Sequence, residues 1–165
     1  WRLRVNDEAI AFTDRVQGRV AQCLARDVGD FVLHRADGLF AYQLAVTVDD
    51  DFQGISDIVR GADLLASTPR QIWLQRCLGF AEPRYAHLPV VTNTAGEKLS
   101  KQTLAPALDV AKAAYSLVRA LQFLGQPAPE ALAHAPVREV WAWAREHWRF
   151  PLIPPVATIA WPLLP

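Results

Sequence analysis

From Ser67 to Gly79 the sequence is STPRQIWLQRCLG, and its punctuation leaves the backbone little choice. Thr68 precedes Pro69, and Gln71 follows the threonine by three positions. This is a helix N-terminus pattern: a hydroxyl accepts from a first-turn N–H, proline brings no N–H to leave unsatisfied, and glutamine reaches back to the cap. Gly79 supplies the stop. A helix is therefore expected from about Pro69 to Leu78, its buried side marked by Trp73 with Cys77 and Leu74 with Leu78, each pair four apart.

The segments before this helix have a different period. LRV, AIAF, RVAQCL and FVLHR are rich in β-branched and aromatic residues and are separated by Asp, Asn and Gly, which predicts short strands. RADG, between FVLHR and LFAYQL, suits a hairpin turn. AYQLAVTVDDDFQG fits either a buried strand or a helix, because a short apolar run does not decide between them. GISDIVRG reads as a strand ending at Arg60 and Gly61, and AHLPVVT as another, leading through NTAG into the loop GEKLSKQ. Beyond the loop Leu108, Ala111, Tyr115, Val118 and Leu121 recur at helical spacing up to Gly125. A second helix is expected from Pro136, with Val140, Trp141, Ala144 and Trp148 on one face. The proline-rich tail FPLIPP to WPLLP is expected to be non-helical and to lie over the surface. The expected class is thus α/β, with a strand-containing part over 1–104 and a helical part over 105–165.

The chain of 165 residues is 52% hydrophobic, enough for a packed core. Seventeen basic residues balance seventeen acidic ones, which argues against binding nucleic acid through overall charge and leaves room only for a local basic patch. Cys23 and Cys77 form no CxxC pair and are expected to be small core residues. No apolar run approaches the ~20 residues of a membrane span and the start WRLRVNDE is no signal peptide, so a cytoplasmic protein is expected. The sequence starts at Trp1 and contains no methionine, which suggests an excerpt of a longer chain.

Lys98 and Lys101 flank a leucine and a serine in the GEKLSKQ loop. Such lysines are by default solvated; alternatively, a loop carries two compact cations to the phosphates of a nucleotide. Arg60, at the end of a predicted strand, either grips a carboxylate through two parallel hydrogen bonds or pairs with Asp57 or Asp63. Tyr42 either donates its hydroxyl to a ligand or packs in the core. Asp49, Asp50 and Asp51 are better read as a solvated turn than as a metal site. His34, His87, Ser56 and Ser100 make no convincing hydrolase set, since there is no GxSxG elbow, and the phosphate-binding GxxxxGK[ST] and GxGxxG motifs are absent as well.

In order along the chain, DFVLHRADGLFAYQLAVTVDDDFQGISDIVRGADLLASTPRQIWLQRCLGF and YAHLPVVTNTAGEKLSKQ resemble the second half of the catalytic domain of class I glutamyl-tRNA synthetases. GEKLSK is similar to that class's KMSKS loop, with leucine in the methionine slot. KLSKQ, then APAL, LQFLGQ and an early chain end, are most similar to a short branch of the family that lacks anticodon-binding domains. The likeness covers about residues 1 to 150. It implies the second half of a Rossmann-like catalytic domain followed by a helical region, in a monomer.

The resemblance also implies a reaction. Glutamate is activated by ATP, with Mg²⁺, to glutamyl-adenylate, and the glutamyl group passes to the queuosine base in the anticodon of tRNA(Asp). By the same resemblance Tyr42 and Arg60 bind glutamate, Lys98 and Lys101 are the loop lysines of catalysis, and Lys101, Ser100 and His87 face ATP. Gln102 stands where the general motif has serine. The family's zinc ligands and its His-Ile-Gly-His-type signature precede the position of Trp1, so neither cysteine is assigned to zinc and this chain alone is expected to hold half an active site. A discriminating glutamyl-tRNA synthetase and a non-catalytic tRNA-binding module are the alternatives.

Overall fold

The computed structural model describes residues 1–99 and 107–160. Contacts group them into two units, Trp1–His87 and Leu88–Pro165, each described by itself.

In the first unit the predicted short strands form. β1 (Arg2–Leu3) pairs antiparallel with β4 (Phe31–Val32), Leu3 opposite Phe31. β2 (Ala9–Asp14) and β3 (Gly18–Cys23) make a hairpin in which Asp14 lies opposite Gly18. A single helical turn, α1 (Leu24–Asp27), follows β3. RADG forms a tight turn, with His34 bridged to Phe40 and the Arg35 N–H donating to the Leu39 carbonyl at 2.8 Å. The segment left open between strand and helix is a helix, α2 (Tyr42–Phe52), whose one fully buried residue is Thr47. β5 (Asp57–Gly61) pairs with β6 (Arg84–Leu88). Between them a 3₁₀ segment, Ala62–Ser67, runs into α3 (Thr68–Leu78). The core gathers Ile10, Leu24, Phe31, Ile72 and Tyr85, with Ile58 and Trp73 packed against it.

The helix α3 has the predicted span and its Gly79 stop, at φ 72°, but two details differ. The capping box does not form: Thr68 is already helical, its N–H donates to the Leu65 carbonyl, and no side chain caps the helix. The 3₁₀ segment supplies the acceptor that an N-cap otherwise provides, which releases Thr68 and Gln71 for other partners. The buried side also differs. It comprises Thr68, Pro69, Gln71, Ile72, Leu74 and Gln75, whereas Cys77 and Leu78 are exposed and Trp73 is half-buried. Neither cysteine is in the core: Cys23 is half-buried at the end of β3 and Cys77 sits on the outer side of α3. The three aspartates 49–51 lie in the last turn of α2 rather than in a turn between elements.

In the second unit, Pro89 divides the AHLPVVT segment, because proline cannot donate to a ladder. β7 (Val90–Thr92) then pairs in parallel with β8 (Thr158–Ala160). The described part of the tail is mostly exposed, as a segment over the surface would be, but it is not without structure: a 3₁₀ turn at Phe150–Leu152, the buried Ile153 and strand β8 tie it to the unit, and its WPLLP end lies outside the described residues. α4 (Ala113–Phe123) and α5 (Val137–His147) pack through Val118, Leu121, Val140 and Ala144. Leu108 lies outside α4 and is exposed, because the helical run opens only at Val110, where Asp109 Oδ1 accepts from the Ala111 N–H. Trp141 and Trp148 are about half-exposed beside that interface.

Candidate functional site

Strand alternation builds the site. Along β5 the side chains of Ile58 and Arg60 point to one face, and along β6 so do Tyr85 and His87. Ile58 and Tyr85 belong to the core, so Arg60 and His87 are drawn inward at the same level. α3 covers them with a polar stripe, since Thr68, Gln71 and Gln75 fall one turn apart on its buried side. The bonds follow directly. Arg60 Nε donates to His87 Nε2 at 3.0 Å. Arg60 Nη2 donates to Thr68 Oγ1 at 2.8 Å and to Gln71 Oε1 at 2.7 Å. Gln71 Nε2 donates in turn to Gln43 Oε1 at 3.0 Å. The guanidinium carbon also lies 5.5 Å from the centroid of the Tyr85 ring, a favourable cation–π placement.

The β2–β3 hairpin delivers the remaining member. Asp14 ends β2, and its Oδ1 accepts from the N–H groups of Val16 at 3.0 Å and Gln17 at 2.9 Å, which shapes the turn. The turn is tied to β6: Arg15 N–H donates to the Tyr85 carbonyl, and Gln17 Nε2 to the His87 carbonyl at 2.8 Å. Asp14 Oδ1 then accepts from the His87 N–H at 3.1 Å, and Oδ2 meets His87 Nδ1 at 2.6 Å.

Both side chains are fully buried, and their ionisation follows from their partners. Burial alone pushes the Asp14 carboxyl up, but the backbone N–H groups of Gln17, His87 and Val16 and the imidazole outweigh it and hold it below the usual carboxylate range. Burial pushes His87 below the usual imidazole range, Asp14 opposing this in part and the Arg60 charge reinforcing it. His87 is thus a neutral imidazole. Because arginine always donates, Nε2 must be the acceptor, and the proton sits on Nδ1 facing Asp14. Thr68, 3.1 Å from Nε2, is left to donate its hydroxyl to it.

Of the residues singled out in the sequence, the structure brings Arg60 and His87 into contact. Arg60 is not a surface arginine paired with Asp57, which instead binds Arg84 at 2.6 Å and lies 3.8 Å from Arg15. Tyr42 does not pack in the core: it is half-exposed on the first turn of α2, next to Gln43 of the network. Lys98 is exposed on the described stem of the GEKLSKQ loop, where its backbone bridges Thr92 and Asn93 Oδ1 accepts from the N–H groups of Ala95 and Glu97. Ser100, Lys101 and Gln102 lie outside the described residues. Ser56 bonds its neighbour Asp57 and has no part in any histidine set.

Sequence reasoning missed Asp14, Gln43, Thr68 and Gln71. The signal for two of them was present, since Thr68, Gln71 and Gln75 are polar at the spacing of one helix face, but Thr68 and Gln71 also fit a capping box. Among the described residues no group of three or more His, Cys, Asp or Glu is placed to hold a metal ion. The residues present do not fit a zinc site, and no step is derived through one. Nor is any described helix long and apolar enough to cross a membrane.

The chain belongs to the family described as tRNA synthetases class I (E and Q), catalytic domain, whose model matches residues 1–126. It is 68% identical over 162 residues to the glutamyl-Q tRNA(Asp) synthetase of Dechloromonas aromatica, a match covering 98% of this chain and 54% of the relative. It is 54% identical over 158 residues to the protein of the same name from Pseudomonas aeruginosa, covering 96% and 54%. The chain therefore spans about half the length of these relatives. Its fold resembles the crystal structure of glutamate-tRNA synthetase from Elizabethkingia anophelis, with a TM-score of 0.70 at 21% identity, over 96% of this chain and 36% of that one.

Proposed function

We propose that the protein carrying this chain activates glutamate with ATP and transfers the glutamyl group to the queuosine base of tRNA(Asp), acting as a cytoplasmic monomer. The observation that carries the reading is the state of Arg60. Its bonds on Nε and Nη2 all go to neutral acceptors, so its charge is held in place while the Nη1 edge stays outside those bonds. The N–H groups of Nη1 on a cation held in this way suit the side-chain carboxylate of an amino acid, which adds a charge attraction that an amide lacks. Tyr42, beside Gln43 on α2, is placed in this reading as a second glutamate contact. The relatives' names supply the acceptor, and the 54% coverage of those relatives makes the whole reaction a proposal for the longer protein.

Lys98 and Lys101 take the charge of the ATP phosphates, with Ser100 beside them and Mg²⁺ entering with the nucleotide. His87 takes a different role from the one the resemblance suggested: it is fully buried against Asp14 and Arg60, where it supports the glutamate contact. The test is ATP–pyrophosphate exchange with the full-length protein and glutamate, followed by transfer to tRNA(Asp) with and without queuosine. Glutamate-dependent exchange and queuosine-dependent transfer are expected. Lys101→Ala is expected to abolish exchange; exchange at the wild-type rate in that variant would remove the loop from the mechanism.

A further inference from the structure

We propose that Asp14 is a positioning residue: through the imidazole of His87 it fixes the acceptor that orients the Arg60 guanidinium toward a ligand carboxylate. The inference rests on the glutamate reading of Arg60 and goes beyond it, to a residue at the far end of a hairpin whose side chain touches no ligand.

The argument is one of donors and acceptors. Asp14 faces four donors: Val16, Gln17 and His87 N–H on Oδ1, and His87 Nδ1–H on Oδ2. Four donors around two oxygens suit an ionised carboxylate, which is acceptor-only. Its demand on Oδ2 places the imidazole proton on Nδ1, and this leaves Nε2 with a lone pair for Arg60 Nε. Thr68 Oγ1 and Gln71 Oε1 take the two N–H groups of Nη2. Three of the five guanidinium N–H groups are then fixed, and the plane and direction of the Nη1 edge with them. Asp14 also supplies a negative charge to the network through the ring. A carboxylate bonded directly to Arg60 would pair off the charge that a ligand needs, whereas one acting through a neutral imidazole steadies the cation and leaves Nη1 outside the network.

Asp14→Asn separates this role from simple packing, because an amide cannot accept on both sides. If its oxygen serves the three backbone N–H groups, its NH₂ faces His87 Nδ1 and drives the proton to Nε2. There it opposes Arg60 Nε–H. The logic parallels the loss of the correct histidine tautomer when a triad aspartate becomes asparagine. The experiment uses the full-length protein with ¹⁵N-labelled histidine. In the wild type the His87 ring is expected to show a protonated Nδ1 and a bare Nε2, and in Asp14→Asn the reverse. In exchange assays the variant is expected to raise KM for glutamate at least about tenfold, with kcat and the KM for ATP changed by less than about threefold.

A wild-type ring protonated on Nε2 overturns the proposal, as does a variant whose tautomer reverses while KM for glutamate stays put. If Asp14→Asn does not fold, Thr68→Val leaves the Asp14 turn intact and removes one Arg60 acceptor. KM for glutamate should then rise with the His87 tautomer unchanged, and an unmoved KM overturns the proposal. Failure of the functional reading looks different: the wild type itself then shows no glutamate-dependent exchange, which removes both.

Discussion

At the scale of single residues, Arg60 shows why type alone does not give a role. An arginine at a strand end has a carboxylate clamp and a surface ion pair as equally natural readings, and the sequence places Asp57 and Asp63 close by. The decision comes from Thr68, Gln71 and His87, which engage one side of the guanidinium, and from Asp14 behind His87. Arg60→Ala is expected to raise KM for glutamate by about ten- to a hundredfold with a smaller fall in kcat, as for loss of a charge-assisted contact of about 1.5–3 kcal/mol made to the ground state. Arg60→Lys should rescue little, since one ammonium cannot satisfy His87 Nε2, Thr68 and Gln71 and still face a carboxylate. Steady-state exchange kinetics check both; a lysine variant with wild-type KM would show that charge, not the fork, is what matters. Arg60 and Tyr42 were legible as candidates through the family resemblance. Asp14 was not legible, because nothing local marks an aspartate before a turn as the partner of a histidine 73 residues later.

At the scale of elements, the helix α3 was legible in extent and misread in orientation. Pro69 and Gly79 are local signals, and local physics bounds the helix. Which side it buries is a tertiary matter, and here the buried side carries Thr68, Gln71 and Gln75 because an arginine and a tyrosine hydroxyl lie beneath it. A hydrophobic periodicity argument looks for the opposite. The two glycines that end helices make a sharper test of element-level reasoning. Gly79 has φ 72° and nothing within 4 Å of a built Cβ, so Gly79→Ala meets backbone strain alone, about 1 kcal/mol. Gly125 has φ 75°, and a Cβ there falls 2.1 Å from the Leu152 carbonyl oxygen. That carbonyl belongs to a turn fastened to the end of α4: the buried Gln126 side chain accepts from the Arg149 N–H at 2.8 Å and donates to the Arg149 carbonyl at 3.2 Å. Gly125→Ala should therefore lower the thermal midpoint clearly more than Gly79→Ala. Equal shifts in a melting series would mean that the Phe150–Leu152 turn yields freely.

At the scale of the whole molecule, β8 was not legible, because the parallel partner of β7 arrives 68 residues after it in register, Val90 opposite Thr158. Long-range pairing leaves no local trace in a three-residue strand. The buried polar network adds a molecular property that no single element shows, a dependence of stability on pH. His87 is neutral in the fold and pushed below the usual imidazole range by burial. In the unfolded chain it takes up a proton near its ordinary pKa of about 6.5. Below that value the unfolded state binds a proton that the native state does not, so stability falls as pH falls, by at most about 1.4 kcal/mol per unit from this group. Asp14, held below the carboxylate range, has the same sign in a lower window, starting near its unfolded value of about 3.9. Asp50 has the opposite sign, since burial raises its carboxyl despite the nearby Arg60 charge, and it takes up its proton more readily in the fold. Between pH 7 and 5.5 the first effect should dominate. Urea unfolding of the wild type should show a lower midpoint at pH 5.5, with hydrogen exchange at Ile72 and Leu74 slowing less between pH 7 and 5.5 than the intrinsic exchange rate does. His87→Gln, which cannot titrate, should be less stable at pH 7 yet lose this slope. A variant that keeps the slope would assign it to other groups and mean that His87 takes up its proton as readily in the fold as in the unfolded chain.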